Sequence, residues 1–282
     1  MIDDQKIMAL KEYFEKRDDV VMAFLFRSRA KNQTRAASDW DVGVYFKPKQ
    51  NNVEWEEEKY YPEENRVWAD CTDILGADAI DLVVLNRASA GIADSVIRGT
   101  PLVVKDYGLW LKFMLRVTAL AEEYRLFVKD FYEIAERSHS LAAQDAEHLR
   151  RAIRFIEEQV SLYGVYQAFS QKEYEENPRQ RNEMERWLEN IINAVIDISK
   201  IVLGSKKMLI PLTYRETVAG AIRAFELPAE FVITFEQWVR IRNDLAHEYL
   251  DLKWKRLFDF AGASESAIRA FIDAAKKFLD AG

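Results

Sequence analysis

Apolar side chains recur at helical spacing over residues 3–17, at Ile7, Leu10 and Phe14, and give way to an apolar run from Val20 to Phe26 that reads as a strand. The segments WDVGVYF at 40–46 and AIDLVVL at 79–85 are rich in β-branched and aromatic residues, as strands are. Between them, residues 54–75 mix acidic and aromatic positions and include a helix, and PLVVKD at 101–106 offers a short fourth strand. Residues 1–105 therefore predict an α/β domain around a small mixed sheet. After Gly108 the strand pattern ends. Residues 109–139, 143–170, 180–203, 212–226, 229–249 and 263–280 carry apolar positions three and four apart, the spacing of helices. Turn chemistry falls between them at Asn177-Pro178, Gly204-Ser205, Leu227-Pro228 and Ala261-Gly262. An all-α helical bundle is predicted, joined to the first domain in SHSLAAQD at 138–145, which gives domains of 1–140 and 141–282.

Composition narrows the class. At 282 residues the chain can build two cores of ordinary size, and 49% hydrophobic with 31% charged residues suits a globular protein. No apolar run approaches the roughly 20 residues that span a bilayer. The first residues, MIDDQKIMALKEYFEK, are amphipathic and acidic, unlike a signal or transit peptide. Cys71 stands alone, which excludes an internal disulfide and a cysteine-based zinc site. The expectation is a cytoplasmic protein with no membrane partner. A net charge of −7 argues against coating nucleic acid through bulk electrostatics, yet leaves room for a local basic cleft.

The first candidate chemistry lies in LFRSRAKNQTRAASDWDVGVYF. Ser28 follows the first strand, Asp39 comes after ten intervening residues, and Asp41 is two further on. Residues i and i+2 of a strand point to one face, so Asp39 and Asp41 project together. Asp81 opens the strand IDLVVL, which can lie beside the first. Three convergent carboxylates need cations, and hard oxygen ligands suit Mg²⁺. Two such ions clamp an in-line phosphoryl displacement. The segment resembles the G-S-x10-D-x-D signature of the minimal nucleotidyltransferases of the polymerase-β-like superfamily, over roughly residues 15–135. The resemblance implies that Asp39 and Asp41 bind metal, that Asp81 completes the site and helps to activate the acceptor hydroxyl, and that Ser28 holds the phosphates of ATP on backbone N–H groups. Arg27 stands where the signature has glycine, so the backbone's approach to the triphosphate is either blocked or replaced by a charge contact. Asn32 replaces a further glycine of the motif, a milder change.

The second is RIRNDLAHEY, at the end of an amphipathic helix bearing Phe235, Trp238 and Val239. At about 100° per residue Asn243 and His247 share one face, with Arg242 and Tyr249 on a neighbouring one. Histidine moves protons near neutral pH and arginine stabilises charge on phosphorus. That combination serves metal-independent cleavage of RNA. The grouping resembles the R-x4-H-x-Y signature of HepT-like HEPN ribonucleases, and the likeness extends through ERWLENIINAVIDISKIVL and PLTYRETV over about residues 143–280. It implies catalytic Arg242 and His247 supported by Asn243, an active cleft completed by a homodimer, no cofactor for this domain, and RNA rather than DNA as substrate. His139 and His148 fall outside the motif and are expected at the surface.

In the paired toxin–antitoxin systems that the two halves resemble, the nucleotidyltransferase moves AMP from ATP onto the tyrosine of R-x4-H-x-Y, here Tyr249, where a bulky anion occludes the RNA cleft. The chain reads as both partners in one polypeptide. A rival reading is a small-molecule nucleotidyltransferase of the aminoglycoside-resistance kind, with the helices as acceptor-binding domain. It uses Asp39, Asp41 and Asp81 and leaves Arg242, His247 and Tyr249 without a role. A third is a nucleotide-binding module without catalysis.

Overall fold

The computed structural model describes residues 2–26, 40–49, 52–56, 59–76, 80–137, 141–247 and 254–281. By internal packing the chain falls into two units, Met1–Glu122 and Glu123–Gly282.

In the first unit, β1 (Val20–Phe26) is flanked by β2 (Trp40–Phe46) and β4 (Thr100–Val104), and β3 (Ile80–Val84) lies outside β2. The order is β3-β2-β1-β4, with β1 antiparallel to both neighbours and β2 parallel to β3, so the sheet is mixed as expected. β1 and β2 are buried at every position, which is why VVMAFLF lacks the polar alternation of a half-exposed strand. Pro101 is tolerated because β4 is an edge strand, where a missing N–H need not break a ladder.

The sheet has two distinct faces. Trp40, Val42, Val44 and Phe46 join Leu10 and Phe14 of α1 (Ile2–Glu15) and Val67, Cys71 and Leu75 of α2 (Glu64–Leu75) in one core. Burial there pushes the Cys71 thiol up to about 12, so it stays a neutral, inert filler. On the opposite face lie Asp41, Gly43 and Tyr45. There Tyr45 packs on Phe113 of α4 (Tyr107–Arg137) at 5.0 Å between rings, and α3 (Ala90–Ile97) sets Val96 over Gly43. A Cβ on Gly43 would stand 2.2 Å from Val96 Cγ1, so α3 can lie this close only over a glycine. Gly99 meets the same demand, because its Cβ would fall 2.1 Å from the Leu25 carbonyl oxygen. Asn86 finishes β2: it donates to the Phe46 carbonyl at 3.0 Å and accepts from the Phe46 N–H at 2.8 Å, as a paired strand residue would.

The second unit is helical. The last part of α4 leads to α5 (Ala143–Val160), α6 (Tyr163–Gln167), α7 (Gln171–Glu176), α8 (Pro178–Ser205), α9 (Tyr214–Ala224), α10 (Glu230–His247), α11 (Trp254–Ala263) and α12 (Glu265–Ala281). The second half of α8, from Ile191 to Leu203, is apolar and buried on most of its circumference, broken by a polar stripe of Asn193, Asp197 and Lys200; α5, α7, α9, α10 and α11 all pack on the helix. The Asn177-Pro178 break is a helix start, with Asn177 accepting from the Gln180 N–H and proline at the first helical position.

The single helix expected over 143–170 is divided. α5 stops at Val160, and the turn at Ser161 and Leu162 lets Tyr163 swing its hydroxyl to a buried Ser264, 2.6 Å away. The Gln159 carbonyl, which accepts from the Leu162 N–H in that turn, also accepts from Trp187 Nε1 at 2.8 Å. α3, α7 and α11 add short helices between the expected ones. No helix among the described residues is long and apolar enough to cross a membrane.

Candidate functional site

The register of the sheet brings two of the three carboxylates together. Asp41 and Asp81 are direct partners across the parallel pair β2–β3, so both project to the face that holds Gly43 and Tyr45. Asp41 is buried and Asp81 exposed, so the pair reaches from the sheet to solvent. Phe26, the last residue of β1, is the partner of Asp41 on the other side of β2. Arg27, Ser28, Asn32 and Asp39 themselves lie outside the described residues. Among the described residues no group of three His, Cys, Asp or Glu could hold a metal. The donors in place, two carboxylates on adjacent strands, are nonetheless hard oxygen ligands of the kind that suits Mg²⁺.

The second site is built on α10. Arg242 and Asn243 are both buried near its end, and the helix continues to His247, one turn beyond Asn243. The His247 side chain and all of Tyr249 lie outside the described residues. The Arg242 guanidinium is held on three sides. Nε donates to Asn193 Oδ1 of α8 at 2.6 Å, Nη1 donates to Glu123 Oε2 and Asn243 Oδ1 at 3.3 Å each, and Nη2 donates to Glu123 Oε1. The Tyr214 ring, at the start of α9, lies 5.4 Å from the guanidinium carbon, within cation–π range. Burial raises the Tyr214 hydroxyl above its ordinary range; the Glu123 carboxylate adds to the rise and Arg242 opposes it. Arg242, Glu123, Asn193 and Tyr214 line a cleft of about 290 Å³ with Phe127, Asp130, Asp197 and Lys200. Lys200 is spoken for as well, at 3.2 Å from Asp130 and 3.4 Å from Asp197.

Sequence reasoning missed Glu123, Asn193 and Tyr214. Tyr214 sits in PLTYRETV and Asn193 is a lone amide in the apolar run IINAVI, both faint signals. Glu123 had none, since it lies 119 residues from its partner. Asp244 accepts from Arg256 of α11 at 2.5 Å. His148 is exposed, as expected, and His139 lies outside the described residues.

Comparison with known families assigns each half a class. Residues 8–107 match the family described as Polymerase beta, Nucleotidyltransferase, and residues 131–275 match Ribonuclease HepT-like. No curated protein matches the chain. The protein is thus a nucleotidyltransferase domain followed by a helical HEPN domain, the architecture of a toxin–antitoxin-like fusion. By the match over half its length, the chain belongs to the HepT-like ribonuclease family.

Proposed function

We propose that the N-terminal domain, residues 1–140, transfers AMP from ATP to Tyr249, and that the helical domain, residues 141–282, is a metal-independent ribonuclease silenced by that transfer. In the transfer, the Tyr249 phenolic oxygen bonds to the α-phosphorus of ATP. The bond from that phosphorus to the pyrophosphate oxygen breaks, and the phenolic proton leaves toward Asp81. Mg²⁺ held by Asp39, Asp41 and Asp81 would supply the positive charge that offsets the triphosphate. Ser28 would meet the phosphates with backbone N–H groups, and Arg27 stands where a glycine would let the backbone close on them. The direct pairing of Asp41 with Asp81 supports this half.

In RNA cleavage the 2′-oxygen bonds to the adjacent phosphorus and the P–O5′ bond breaks, leaving a 2′,3′-cyclic phosphate and a free 5′-hydroxyl. His247 moves the proton, Arg242 stabilises the charge that builds on the phosphate oxygens, and Asn243 supports them. A second copy of the chain completes the cleft. The observation that carries this reading is a buried arginine lining a cleft, on the helix that leads into His247. The test is cleavage of a single-stranded RNA by the full chain in EDTA. Wild type should yield cyclic-phosphate ends, and His247→Ala should slow the reaction by about 10²–10⁴-fold. Cleavage only with added Mg²⁺, or undiminished in His247→Ala, would contradict it.

A further inference from the structure

We propose that Glu123 is a built-in phosphate mimic that latches Arg242 and keeps it from RNA. The inference rests on the ribonuclease reading of this cleft. A guanidinium grips a phosphate through the same forked pair of N–H bonds that it offers a carboxylate. Here that fork is filled: Nη1 and Nη2 donate to the two oxygens of one Glu123 carboxylate. Nε is taken by Asn193. The Arg242 side chain is only 7% exposed, whereas that of Glu123 is 36% exposed, so the carboxylate stands on the solvent side of the pair. RNA approaching the cleft meets Glu123 first.

Charge points the same way. The cleft's lining holds two cations, Arg242 and Lys200, against three carboxylates, Glu123, Asp130 and Asp197. Both cations are paired to those carboxylates. A polyanion gains nothing from a cleft in this state, because a neutralised pair presents little field beyond its own contact. Releasing Glu123 alone evens the balance and frees the fork. The Tyr214 ring lines the same cleft beside the pair, 5.4 Å from the guanidinium carbon.

The test uses the full chain and two probes of one sequence: an RNA octamer for cleavage and its 2′-O-methyl analogue, which cannot cleave, for binding. Glu123→Gln should bind the analogue about tenfold more tightly than wild type and raise kcat/KM for the RNA. Both gains should vanish when Arg242→Ala is added. Glu123→Asp, whose shorter side chain reaches the guanidinium less well, should shift binding the same way by less, and it serves if Glu123→Gln fails to fold. A wild type that cleaves while Glu123→Gln binds no tighter, or cleaves more slowly, overturns the latch and makes Glu123 a positioning residue for Arg242. Tighter binding without cleavage in any variant upholds the latch and sinks the ribonuclease assignment. No binding by any variant overturns both.

Discussion

Replacing Gly43 by alanine should unsettle the sheet that carries Asp41. The new Cβ would lie 2.2 Å from Val96 Cγ1 and 3.3 Å from Val96 Cβ and Cγ2. Carbon atoms rest at about 3.5–4.0 Å, so the closest contact must open by more than about 1 Å. Val96 cannot yield by itself, since a β-branched residue in a helix has one favoured rotamer and it is fully buried. β2 cannot yield easily either, because Gly43 is paired to Phe24 on one side and Val83 on the other. Overpacking of this kind costs about 1–3 kcal/mol, or several degrees in the melting temperature of a domain this small. Val96→Ala removes both offending methyl groups at its own cavity cost of roughly 1–3 kcal/mol. In the double variant only the 3.3 Å contact with the residue-96 Cβ remains, so its destabilisation should fall short of the sum of the singles by about 1 kcal/mol or more. Urea unfolding of the four proteins, followed by circular dichroism, reads this directly. Mg²⁺-dependent ATP affinity should drop in Gly43→Ala and recover in the double, because β2 carries Asp41 two residues away. Additive singles, or a Gly43→Ala protein as stable as wild type, would refute the argument.

Three further outcomes are expected. Asp41→Asn should abolish Mg²⁺-dependent ATP binding, measured by calorimetry, with the unfolding transition retained. Arg27→Gly should raise ATP affinity or adenylyl transfer if the guanidinium obstructs the phosphates; a loss would make Arg27 a phosphate contact instead. Asp19 is a pH handle: burial alone would raise its carboxyl, but the hydrogen bonds and charge of Arg17, 2.5 Å away, outweigh burial and hold it below its ordinary value. A depressed carboxyl contributes stability above its unfolded value, about 3.9, and loses it as pH falls through the folded one. The stability gap between wild type and Asp19→Asn should therefore be present at pH 7 and close below about pH 4.

Much of the fold was legible because its signals are local. The apolar run Val20–Phe26 and the segment 40–46 are the two strands buried throughout, and the Asn177-Pro178 break is a capped helix start. The division after Val160 was not legible, since it depends on Tyr163 reaching Ser264, 101 residues away. α11 is short, and Phe260 on it packs against Trp187 and Trp238 of distant segments. The candidate sites split along the same line. Spacing alone pairs Asp39 with Asp41 and Arg242 with His247, whereas the partner of Asp41 is fixed by strand register and those of Arg242 lie 49 and 119 residues away. Local periodicity carries no trace of such partners, and chemistry that depends on them becomes visible only in the packed chain.

On the proposed function, one half of this chain modifies the other. The most direct test is the intact mass of the purified full chain before and after incubation with ATP and Mg²⁺, with tandem spectra locating any adduct. AMP should appear on Tyr249, be absent from Asp41→Asn and from Tyr249→Phe, and be accompanied by loss of RNA cleavage in the wild type. An unmodified Tyr249 in the wild type after incubation, or an adduct that persists in Asp41→Asn, would contradict it.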